Sequence, residues 1–113
     1  MTMTNKDAAG VPGFTVLCAG EERPIRRFYC CDLLSHVMGQ ILEDTCWCTV
    51  MGNINTIAVA TLAEAACVVL CHGIPATEEM LRRAAENGIT VLSTDMAQFD
   101  AAVALAKAGG IEL

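Results

Sequence analysis

Charge is thin in this sequence. Asp, Glu, Lys and Arg make up 18% of the 113 residues, and Lys6 and Lys107 are the only lysines. No GxxxxGK[ST] loop occurs, so phosphoryl transfer would lack both its phosphate cradle and its cation. GxGxxG, GxSxG and HExxH are missing as well, which leaves dinucleotide, serine-hydrolase and zinc-hydrolase chemistry without a motif. Seven Lys and Arg against 13 Asp and Glu give a net charge of −6, which disfavours nucleic acid, whose binding depends on neutralising phosphates. The longest uncharged stretch is broken by Gly52, Asn53 and Asn55, so no membrane span is expected. MTMTNKDAAG has no basic-then-apolar leader pattern, and a cytoplasmic location is expected.

What is present is apolar material, 54% of the chain, and its densest part runs from Thr45 to His72 with Glu64 as its single acidic or basic residue before the histidine. Thr45 to Val50 is a β-branched and aromatic run, and Gly52-Asn53 breaks it. Asn55 to Ala66 is long enough only for a helix, and Cys67 to Cys71 is a second buried strand. This is a βαβ unit. The helix carries Ile57, Ala58, Val59, Ala60, Leu62, Ala63, Ala65 and Ala66 and leaves no side for water, so it should be covered both by its sheet and by a second copy of the chain. A homodimer through helix 55–66 is therefore expected.

Elsewhere the patterns are weaker. Residues 1–13 read as a flexible lead-in, and 14–113 as one α/β domain. Phe14 to Cys18 is a strand, Gly20 to Pro24 a turn and Ile25 to Cys30 a strand suited to a sheet edge. Asp32 should cap a helix whose apolar face is Leu33, Leu34, Val37, Met38 and Ile41. Thr77 starts a helix with Glu78 and Glu79 in its first turn and Arg82 and Arg83 four residues on, and Asn87-Gly88 stops it. Ile89 to Leu92 is a buried strand. Asp95 and Gln98 have capping-box spacing before a helix with Met96, Phe99, Val103 and Ala106 on one face, ended by Gly109-Gly110. The alternation predicts a three-layer α/β/α sandwich with a largely parallel sheet.

Ligands of open α/β sheets sit beyond the carboxyl ends of the parallel strands, here the loops Gly52 to Asn55, His72-Gly73 and Ser93 to Asp95. Gly52, Asn53 and Asn55 join a strand to a helix start, where free amides and two carboxamides can meet a ligand; a turn at Asn53 and a cap at Asn55 explain the same residues. Asp32 and Ser35 satisfy a helix start or a ligand equally. Arg23, Arg26 and Arg27 form the one basic cluster, open to a phosphate-bearing ligand, a neighbour's carboxylates or plain solvent. The seven cysteines are odd in number and include no CxxC pair. Cys46 and Cys48 flank Trp47 and face one side, but a four-ligand metal site would have to be gathered from several strands, so thiols as core filler are expected in a reducing compartment. Cys71 and His72 are adjacent on a strand and point apart. His36, four residues after Asp32, offers an acid and base pair only if a pocket surrounds it.

From Asp32 to Met38 (DLLSHVM), through the strand to Gly52-Asn53, the helix to Ala66, the strand to Cys71 and the Leu92-Ser93-Thr94 ending, the chain resembles the DRTGG domain family. That family includes the N-terminal domain of HPr serine kinase/phosphorylase, a module within long phosphotransacetylases, and stand-alone copies. The resemblance implies an α/β/α module like that N-terminal domain, without catalytic residues of its own, regulatory and self-associating. The family's naming motif is absent here, its turn reading Gly52-Asn53-Ile54-Asn55-Thr56. The expected protein is a non-catalytic regulatory or ligand-binding homodimer with no cofactor and no metal. Its ligand is a small molecule, nucleotide or phosphorylated metabolite among them, or a protein partner, met by Asp32, Ser35, Gly52, Asn53, Asn55, Ser93 and Thr94. The alternative is a cysteine-based metal or redox protein.

Overall fold

The structure, a computed structural model, describes residues 3–111. Its elements are α1 (Asn5–Ala9), β1 (Phe14–Cys18), β2 (Arg27–Cys30), α2 (Leu34–Gln40), β3 (Thr45–Thr49), α3 (Ile54–Ala63), β4 (Cys67–Leu70), α4 (Glu78–Asn87), β5 (Val91–Thr94) and α5 (Gln98–Ala108). The strands form one sheet in the order β1-β5-β4-β3-β2. β2, β3, β4 and β5 are parallel, and β1 closes the far edge antiparallel to β5.

The central strands explain the layers. Every residue of β3 and β4 is buried, as strands covered on both faces must be. Alternation then sorts their side chains. Trp47, Val68, Leu70 and Val91 pack on one side with Val37, Ile57, Ala60, Met80 and Ala84 from α2, α3 and α4. Cys46, Cys48, Cys67, Val69, Cys71 and Leu92 pack on the other side with Ala101, Ala102 and Leu105 from α5 and Ala8 from α1. The three-layer α/β/α sandwich with a largely parallel sheet is thus the fold. Trp47 is fully buried, and its indole N–H donates to the Cys31 carbonyl at 3.0 Å, which meets the polar requirement of an enclosed indole.

Several local expectations give way to tertiary contacts. Residues 3–13 are docked onto the sheet: Thr4 caps α1 in a capping box with Asp7. Asn5 is buried, with its side-chain amide donating to the Ala66 and Glu21 carbonyls at 2.8 Å each and to the Thr90 hydroxyl at 3.3 Å. Asp32 does not cap α2, whose N-cap is Leu33 without a side-chain bond. The Asp95–Gln98 capping box does not form either; Ala97 is the N-cap of α5. On α5 the buried residues are Ala101, Ala102, Leu105 and Ala106, whereas Phe99 is 71% exposed. The last strand lies two residues later than its pattern suggested, at Val91–Thr94. Thr77 and Gly88 do bound α4, Thr77 accepting from the Met80 amide and Gly88 taking the left-handed conformation at φ 69°.

α3 is shorter than expected, capped by Asn53 and ended by left-handed Glu64. Thr56, Ile57, Val59 and Ala60 are buried, while Asn55, Ala58 and Leu62 face outward. Leu62 is 79% exposed, and Met38 of α2 and Leu42 just after it are 62% and 58% exposed. The basic cluster is engaged internally: Arg26 pairs with Asp44 at 2.9 Å, Arg23 with Glu64 at 3.5 Å, and Arg27 donates to the Glu43 carbonyl.

Candidate functional site

The strand ends of this sheet open onto a cleft of about 410 Å³ at the β1–β5 edge, walled by the 73–76 loop and by Leu81 of α4. Thr15 and Ser93 lie side by side in register across the two strands, so both hydroxyl-bearing residues face this cleft from its floor. Two further wall residues, Gly13 and Gly73, have φ of +94° and +67°, a backbone region in which a side chain is strained. A Cβ on Gly73 would also stand only 3.0 Å from the Asp95 carboxylate. Ile74, Pro75 and Leu17 supply the apolar part of the lining.

No Lys or Arg lines this cleft, and Asp95 gives it a negative rim. Hydroxyls, a carboxylate and apolar walls suit a neutral, hydroxyl-bearing or ring-bearing ligand. A bare phosphate would meet Asp95 without a countercharge. Ser93 and Thr94 of the expected set are here, although the buried Thr94 is committed to local structure. Its hydroxyl accepts from the Met96 amide at 3.3 Å, and its carbonyl accepts from the Gly73 amide at 2.9 Å. Sequence reasoning missed Thr15 and Leu17; the signal available was the alternation in FTVLC, which sets those two on one face.

The remaining expected residues lie elsewhere. Gly52 carries the outer side of the same loop: its carbonyl accepts from the Thr77 amide at 3.3 Å, and a Cβ there would collide with the Pro75 carbonyl oxygen. Asn53 caps α3 through its side-chain oxygen, which accepts from the Asn55 amide at 2.9 Å, and Asn55 itself is exposed. Ser35 is exposed in the first turn of α2. Asp32 is on the α5 side of the sheet, joining β3 to α5. One carboxylate oxygen accepts from the Thr49 hydroxyl at 2.7 Å and the Val50 amide at 2.8 Å, and Gln98 donates to both oxygens at 3.0 and 2.8 Å. Burial works to raise its pKa, but the bonds from Val50, Thr49 and Gln98 and the nearby His72 outweigh it and hold the carboxyl below its ordinary value. His36 is exposed, so no pocket surrounds an Asp32–His36 pair.

The thiols also fall into a pattern. Cys46, Cys48, Cys67 and Cys71 are buried on the α5 side, with exposed Cys30 at the rim of the same face; all are free. Among the described residues no group of three or more His, Cys, Asp or Glu is arranged to hold a metal ion. No described helix is long and apolar enough to cross a membrane.

The sequence matches the family model described as DRTGG domain over residues 11–108. No curated protein matches it. Among solved structures it is similar to the crystal structure of the CBS and DRTGG domains of the regulatory region of Clostridium perfringens pyrophosphatase, complexed with the activator diadenosine tetraphosphate. The two superpose with a TM-score of 0.75 at 15% identity, covering 91% of this chain and 46% of that one. This chain therefore spans less than half of the clostridial chain, and the likeness is one of fold.

Proposed function

Because the chain belongs to the DRTGG domain family, we propose that it is a non-catalytic regulatory module whose β1–β5 cleft binds a small ligand, and that it works as a homodimer. The observation that carries this reading is the cleft itself. It stands at the carboxyl end of β5, where parallel sheets receive ligands, and is lined by hydroxyls, a carboxylate, a loop backbone and apolar side chains. The ligand class follows from the lining. A nucleoside base and sugar suit the apolar Leu17 and Pro75 and the Thr15 and Ser93 hydroxyls, and phosphates beside Asp95 would need a divalent cation. The nucleotide activator bound to the regulatory region of the clostridial pyrophosphatase makes nucleotides the first compounds to screen.

The dimer reading rests on the outer side of α3, where Leu62, with Met38 and Leu42 from the α2 side, leaves apolar surface uncovered. A cytosolic site of action agrees with seven free cysteines.

Thermal denaturation with adenine and guanine nucleotides, each with and without magnesium, tests the ligand. A binder at 100 times its Kd stabilises by about 2.7 kcal/mol, and Ser93→Ala with Thr15→Val should remove most of that gain without lowering the unliganded midpoint. A nucleotide that protects wild type and the double variant equally would place binding outside the cleft. Protection by none of them would refute the nucleotide reading.

A further inference from the structure

The α5-facing side of the sheet carries Cys30, Cys46, Cys48, Cys67 and Cys71, and the register of the strands pairs four of them. Cys30 of β2 stands opposite Cys48 of β3, and Cys46 of β3 stands opposite Cys67 of β4. Neighbouring strands are about 4.8 Å apart, inside the Cα separation of about 4.4–6.8 Å that a disulfide spans. Both members of the first pair face α5: Cys48 belongs to the same core cluster as Ala101, Ala102 and Leu105 of that helix, and the Cys30 Sγ donates to the Gln98 carbonyl at 3.7 Å. Cys30 is exposed at the sheet edge, whereas Cys48 has no exposure. Cys31 is partly buried on the opposite side with Tyr29, and Cys18 likewise packs with that other layer.

We infer that Cys30 and Cys48 form a peroxide-sensitive dithiol, with Cys30 the residue attacked from solvent and Cys48 the one that resolves it into an intrachain disulfide. The Cys30 sulfur attacks one peroxide oxygen, the O–O bond breaks, and the departing hydroxide takes up a proton to leave as water, with Cys30 as a sulfenic acid. The Cys48 sulfur then attacks the Cys30 sulfur and the S–O bond breaks. The Cys48 proton leaves with that hydroxide as a second water. Two thiols lose two electrons in all, and one hydrogen peroxide is reduced to two waters. The division of roles agrees with the bonding between them. The neighbouring Cys48 draws the Cys30 thiol below its ordinary value despite burial, while Cys30, Cys46 and Cys71 around it, together with burial, hold Cys48 well above its own. Forming the disulfide takes the Cys30 sulfur from the Gln98 carbonyl, at the residue that also holds Asp32.

The test is peroxide titration of the full chain, followed by thiol blocking, denaturation, and peptide mass mapping with cleavage at Glu43 or Asp44, which separates the two cysteines. The expected result is a loss of two of the seven thiols without a larger species on a non-reducing gel, a linked pair of peptides, and full recovery with dithiothreitol. Cys31→Ser should leave this unchanged and so assign the link to Cys30. Cys30→Ser, at an exposed position, should abolish the loss. Cys48→Ala should leave a Cys30 sulfenic acid that dimedone traps. The inference is overturned if Cys30→Ser still loses two thiols, if Cys30 links two chains, or if no thiol reacts until the fold is denatured.

Discussion

Replacing Asn5 with Ala measures how far residues 3–13 belong to the fold. The Asn5 amide nitrogen bonds the carbonyls of Ala66, ahead of β4, and Glu21, ahead of β2, and the hydroxyl of Thr90, ahead of β5; its oxygen accepts from the Arg23 amide at 3.3 Å. One side chain thus ties α1 to three approaches to the sheet. Ala66 and Thr90 are 1% and 5% exposed, so water cannot freely replace the lost donor. A buried polar group left without its partner costs about 1–3 kcal/mol, and the part-buried bonds add about 1 kcal/mol, for a total of about 2–4 kcal/mol. At about 4 °C per kcal/mol for a domain of this size, the unfolding midpoint should fall by roughly 8–16 °C. Calorimetry together with urea unfolding checks the figure, with Asp7→Ala as the control. That change removes only an exposed capping bond of the same helix, worth about 1 kcal/mol. If Asn5→Ala shifts the midpoint no more than Asp7→Ala does, the hub is not a structural tie and the reasoning fails.

Three further outcomes follow from the same contacts. Gly52→Ala drives a methyl into the Pro75 carbonyl, so the 74–77 loop must move, and stability should drop by about 1–3 kcal/mol in denaturant titration. Asp32 has its pKa lowered in the folded chain, so its charged form favours folding. That contribution is complete above the unfolded value of about 3.9 and is lost as pH falls through the depressed folded value. Asp32→Asn should therefore lower stability at neutral pH and flatten the acid limb of the stability profile, and parallel acid limbs for wild type and variant would contradict it. Leu62→Glu, on the exposed side of α3, should convert a dimer to a folded monomer in light scattering; an unchanged mass places any interface elsewhere.

The β3-α3-β4 unit could be read directly because central strands buried on both faces leave an unbroken apolar run, and such a run has few alternatives. Asp32 and Gln98 misled for a shared reason. Each has the local spacing of a helix cap, yet the two residues bond each other across the sheet, and nothing within either segment signals a partner 66 positions away. α5 misled through size. Phe99 dominates its pattern, but the helix lies against the thiol layer through Ala101, Ala102 and Leu105, with Met96 packed against the same core, and the two alanines carry little hydrophobic signal. Asn5 was invisible because a five-residue helix has no periodicity and a polar residue gives no hint of burial. At the candidate site the strand-end rule brought out Ser93 and the neighbouring loops. Thr15 escaped it because β1 runs antiparallel and meets the cleft with its amino-terminal half.

Amide shift mapping by two-dimensional NMR, with ¹⁵N-labelled chain titrated with whichever nucleotide raises the midpoint most, is the most direct test of the cleft as a binding site. Saturable shifts centred on Thr15, Gly73, Ser93 and Asp95 are the result this account predicts. Shifts centred on Asn53 and Asn55 or on the α2–α3 surface, or none at saturating nucleotide, would contradict it.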